Sequence, residues 1–202
     1  ISMPYAGKTA EIISKKTGAE VIELGLPFGL DGTKKWLLQV AEKTESIDEA
    51  NDFIDTEMKA VLPLLEWLVP AFFRLKTFSF VGDPFLCESM CDALSEIDMK
   101  PLYNVIFSTK NRLDRINIIR KLPEVNFSSE LDEIVVEEIP DFFIGNSEGR
   151  GRIYDNGPYH IEPYTEIGFP SYGTHFFYLA PYMGITGFLI FLNRMINSLK
   201  PE

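Results

Sequence analysis

The chain of 202 residues is 46% hydrophobic and 24% charged, a balance that fits a globular domain and excludes a disordered tail. Its formal net charge is −11, from 19 Lys+Arg against 30 Asp+Glu, which excludes nonspecific nucleic-acid binding, since that needs cationic surface to displace counterions. The most apolar window, Phe188 to Leu192, is too short to span a bilayer, and the apolar run around it is broken by Pro181 and Asn193.

Two cysteines, Cys87 and Cys91, make no disulfide framework, and no N-terminal segment has the form of a secretory signal; a cytoplasmic location is the expectation. Ile1 stands where an initiator methionine would, and the chain opens in a helical pattern, so a piece of a longer protein is expected.

From Lys8 the apolar spacing predicts a short helix ended by Gly18, then a strand over Ala19–Leu24. The turn-rich Gly25–Gly32 follows, with Thr33 as the expected cap of a helix through Trp36, Leu37, Val40 and Ala41. Residues 46–75 read as one long helical pattern that Pro63 and Pro70 should each kink or divide. A sub-boundary near 30–75, linking two αβ portions, is one possible organisation of 1–202.

Lys76–Val81 is a predicted strand closed by Gly82-Asp83-Pro84, with Asp83 as N-cap of a helix reaching Ile97 and Pro84 at its first position. Leu102–Phe107 is the next strand, Leu113–Leu122 a helix, Val125–Phe127 an extended piece and Ser129 the start of a further helix. A strand ends at Ile144, a Gly- and Arg-rich loop follows over Asn146–Arg152, another strand precedes Gly168, and a last helix covers Gly184–Leu199. Strands alternating with helices define an α/β, Rossmann-like fold: a mainly parallel sheet with helices on both faces, plus a packed C-terminal helix.

The candidate ligand crevice lies where apolar strands end in Gly followed by polar residues, because open α/β sheets bind ligands beyond their carboxyl ends. Its residues are Gly82, Asp83, Asn146, Ser147 and Arg150, with His175 nearby in the aromatic stretch Tyr172–Tyr178. Each has a plain structural alternative: a capping Asp, a solvated Arg turn, a hydrogen-bonded core His. Gly82-Asp83-Pro84 lacks the glycines of a dinucleotide fingerprint and is not a P-loop. Cys87 and Cys91 lie one helical turn apart, as metal ligands could, but they share a stripe with Leu86, Met90 and Leu94, and free Cys is commonly buried. No metal ligand and no catalytic residue is assigned.

Five motifs in order carry a resemblance: Leu26-Pro-Phe-Gly-Leu-Asp-Gly-Thr33, Gly82-Asp-Pro84, Pro140-Asp-Phe-Phe-Ile-Gly-Asn-Ser147, Ile167-Gly-Phe-Pro-Ser-Tyr172 with His175, and Gly184-Ile-Thr-Gly187 before Asn197. Together they resemble the C-terminal part of nitrogenase component 1 chains, the β chain in particular, over essentially all 202 residues. The resemblance implies a Rossmann-like region of an oxidoreductase subunit for nitrogen fixation. Such a subunit would work in an α2β2-type assembly with an α-type subunit and an ATP-dependent iron protein. It also reaches noncatalytic scaffolds of cofactor assembly and protochlorophyllide reductase. The family's cluster-binding cysteines lie in an N-terminal part that this sequence does not contain. Iron-sulfur clusters are therefore expected in the full-length assembly and none on this piece, which alone should be inactive. Homo- or hetero-oligomer formation is expected, and a small-molecule binding module using the crevice is the remaining alternative.

Overall fold

The structure, a computed structural model, describes residues 7–106, 125–127, 138–156, 163–168, 172 and 181–199. Helix α1 (Gly7–Thr17) ends as expected at Gly18, whose amide donates to the Ser14 carbonyl at 2.8 Å. The strand expected over Ala19–Leu24 does not form. The chain just beyond it is drawn into the helical layer: Phe28 is fully buried against aromatic rings of the last helix, and Gly184 donates its amide to the Pro27 carbonyl. Val21, in the middle of the stretch, is left exposed.

Helix α2 (Leu30–Thr44) starts three residues before the expected cap. Gly29 is the N-cap, with φ +74°, and a Cβ there would sit 2.6 Å from that of Ala93, so this tight entry requires glycine. Thr33 instead lies inside the first turn, buried, donating its hydroxyl to the Gly29 carbonyl at 2.6 Å. Helix α3 (Ile47–Leu68) runs unbroken through Pro63. Pro63 and Lys59 lie on the exposed side, where water can serve the carbonyl that proline leaves without a donor. At Pro70 the backbone widens into a π-helical turn (Val69–Phe73), closed by the Arg74 amide on the Val69 carbonyl. That turn delivers Phe73, fully buried, onto Phe142 at 5.8 Å between ring centroids.

Five strands follow: β1 (Thr77–Gly82), β2 (Lys100–Ile106), β3 (Val125–Phe127), β4 (Phe142–Gly145) and β5 (Tyr164–Glu166). Every pairing is parallel, in the order β3-β2-β1-β4-β5. The register slips by one residue between Phe78 and Ser79, opposite Pro101, whose missing N–H suits a bulge. Helix α4 (Pro84–Ser95) follows β1, α5 (Ser147–Asn156) follows β4, and α6 (Ile185–Asn197) closes the described chain. The predicted Asn146–Arg152 loop is thus the start of a helix. The helices predicted at Leu113–Leu122 and from Ser129 lie outside the described residues.

Side-chain alternation along the strands divides the core. Phe78, Phe80, Phe142, Ile144 and Ile106 face α4 and α6, which pack Leu94, Met90, Phe188 and Phe191 onto them, with α2 and α3 outside. Val81, Val105, Phe143 and Tyr164 form a smaller cluster on the opposite face, where α5 approaches Val81. Burying a phenylalanine contributes about 1.5–3 kcal/mol, so the first face, with its seven fully buried Phe, dominates the hydrophobic stabilisation.

Candidate functional site

Strand order reverses between β1 and β4. From β1 the chain crosses by α4 to β2 on one side; from β4 it passes by α5 to β5 on the other. The loops leaving β1 and β4 diverge, and the gap at their carboxyl ends is the switch point at which α/β sheets of this topology bind ligands. Val81 pairs with Gly145, so the following residues, Gly82-Asp83 and Asn146-Ser147, meet at one edge. Five of the six predicted crevice residues, Gly82, Asp83, Asn146, Ser147 and Arg150, therefore lie at or beside it. His175 lies outside the described residues.

Local chemistry explains the approach of α5. Asn146 is its N-cap: the side-chain Oδ1 accepts from the Gly149 amide at 2.7 Å and the carbonyl from the Arg150 amide at 3.0 Å. The same carbonyl accepts from the Tyr164 hydroxyl at 2.7 Å. The Arg150 guanidinium stacks 5.6 Å from the Tyr164 ring centroid. A Cβ on Gly145 would lie 2.3 Å from the Val81 carbonyl oxygen and 2.6 Å from the Tyr164 hydroxyl, so β4 meets β1 and β5 with no room to spare.

Beside this cap the Ser147 hydroxyl donates to the Glu166 carboxylate. The Tyr172 amide donates to both Ser147 Oγ, at 2.6 Å, and Glu166 Oε1, at 3.0 Å. Glu166 is buried although charged. Burial, then the Glu166 charge, push the Tyr164 phenol well above its ordinary pKa, with Arg150 opposing; it stays protonated and acts as a donor. Glu166, Tyr164 and Tyr172 were missed as site residues. The usable signal was a carboxylate ending an otherwise buried strand, immediately before Ile167-Gly168.

Cys87 and Cys91 are core residues of α4. The hydrogen bond with Cys91, then burial, raise the Cys87 thiol far above its ordinary pKa, and the Asn104 amide donates to Cys91 Sγ at 3.6 Å. A buried, protonated thiol is neither a ready nucleophile nor a ready metal ligand. Among the described residues no three His, Cys, Asp or Glu side chains group as a metal site. A separate groove of about 670 Å³ runs between α2 and α4, lined by Lys35, Trp36, Glu88, Asp92 and Glu96; it lies between helices, not at the strand ends.

The topology and the switch point define a Rossmann-like α/β domain. The family model described as nitrogenase component 1 type oxidoreductase matches residues 2–200, and the chain belongs to that family. Relatives include the nitrogenase molybdenum-iron protein beta chains of Methanothermobacter thermautotrophicus, at 26% identity over all of this chain and 44% of the relative. The beta chain of Azotobacter vinelandii is 24% identical, over 95% of this chain and 39% of the relative. That of Nostoc is 28% identical, over 96% and 38%. The solved structure "Nitrogenase Cp1 at pH 6.5" superposes with a TM-score of 0.71 at 18% identity, covering 94% of this chain and 42% of that one, which supports the fold. The chain thus spans less than half the length of the relatives it matches. Among the described residues no helix is long and apolar enough to cross a membrane.

Proposed function

We propose that residues 1–202 serve as the C-terminal Rossmann-like region of a β-type component 1 subunit, in metal-cluster-dependent, ATP-coupled reduction by a cytoplasmic α2β2-type assembly. The observation that carries this is the family match over residues 2–200, joined by relatives that are all beta chains. Iron-sulfur clusters supply the electron transfer in such an assembly. Their ligands belong to other chain segments, since Cys87 and Cys91 are committed to packing.

The switch-point edge then acts as a structural floor. Asn146 accepts from the Gly149 amide, Ser147 donates to Glu166, and both of these accept from the Tyr172 amide, an arrangement of internal bonds that suits holding loops in place better than exchanging a small ligand. Isothermal titration with small anions checks this: heat of binding lost in an Arg150→Ala variant would restore the binding-module alternative.

The main test uses the longer gene product that contains this sequence, co-expressed with an α-type chain and purified without oxygen. The expected result is a stoichiometric, iron-loaded complex that reduces substrate when supplied with an iron protein and ATP. A complex that only transfers its cluster to another component marks the noncatalytic scaffold instead. Failure to bind an α-type chain, with no iron, would overturn both.

A further inference from the structure

We draw no further inference here: the strongest candidate, the groove between α2 and α4 lined by Trp36 and the carboxylates of Asp31, Glu88, Asp92 and Glu96, is an acidic cluster with no second observation that points to a ligand, and its Glu96 is already engaged by the Leu30 and Asp31 amides.

Discussion

Thr77 and Asp141 hold each other by exchanged hydrogen bonds. Asp141 Oδ2 accepts from the Thr77 amide at 2.8 Å and from its hydroxyl at 3.0 Å, and the Asp141 amide donates back to Thr77 Oγ1 at 3.1 Å. Lys76 Nζ adds an ion pair to Asp141 Oδ1 at 2.8 Å. The exchange sits just ahead of the Phe78–Phe142 pairing, and it fixes the register that later brings Gly82 beside Asn146 at the other end of the sheet.

Asp141→Ala should therefore destabilise the fold by about 2 kcal/mol, the scale of lost hydrogen bonds to a charged acceptor that is partly exposed. Urea unfolding would show a lower midpoint at unchanged slope. Burial pushes the Asp141 pKa up, but the Lys76 and Thr77 hydrogen bonds outweigh it and hold the carboxyl below its ordinary value. The stability it contributes is present above the unfolded aspartate pKa and is lost as pH falls through the lowered folded one. Asp141→Asn should flatten that acid-side loss.

At the carboxyl end the sensitive position is Gly145. A Cβ there meets the backbone carbonyl of Val81 at 2.3 Å and the Tyr164 hydroxyl at 2.6 Å, and backbone in the middle of a sheet cannot yield cheaply. Gly145→Ala is expected to cost on the order of 3 kcal/mol by overpacking, whereas Gly151→Ala, with nothing near its Cβ, should be neutral or mildly stabilising by its gain in helix propensity. Thermal unfolding of the two variants checks the contrast; equal midpoints would refute the tight β1–β4 contact.

The Leu26-Pro-Phe-Gly motif has a packing role of its own. Phe28 makes edge-on contacts with Phe191 at 5.3 Å and Phe188 at 5.9 Å, and a tilted one with Tyr182 at 6.4 Å. It ties the entry of α2 to α6. Phe28→Ala should cost about 3–5 kcal/mol, with loss of near-UV dichroism from the aromatic cluster before far-UV helicity is lost. Phe28→Leu, which keeps most of the volume, should cost less than half as much.

The strand ends were legible because glycine after an apolar run has one common outcome in an α/β chain, and Gly82 and Gly145 do close β1 and β4. The strand order was not legible, since register is set by contacts such as Thr77–Asp141 that lie 64 residues apart. Asn146–Arg152 misled because two glycines lower helix propensity. Asn146 as cap, and the close seat of Gly149 against Val81, override that local preference. Ala19–Leu24 misled in the opposite sense: alternation favours a strand only where an edge is free to receive it, and Phe28 anchors this stretch to the helices.

Glu96 provides the last test, because its titration runs opposite to that of Asp141. Its carboxylate reaches from the end of α4 to the start of α2, where Oε2 accepts from the Leu30 amide at 2.9 Å and both oxygens accept from the Asp31 amide at 3.2 Å. This replaces the side-chain cap that Gly29 cannot offer. Burial nevertheless raises the Glu96 pKa, with the Asp31 charge adding to it, and outweighs the two amides and Lys34. For a raised carboxyl the contribution to stability is full below the unfolded pKa and is lost as pH rises through the folded one. Glu96→Gln keeps one acceptor and removes the charge. Its stability relative to wild type should improve on going from about pH 4.5 to pH 7, and Glu96→Ala, which shares that pH dependence but orphans the amides of Leu30 and Asp31, should be about 1 kcal/mol less stable than Glu96→Gln at both. Urea titrations of the three proteins at several pH values measure this; a wild-type to Gln difference independent of pH would show that the carboxylate is not desolvated at the α2 entry.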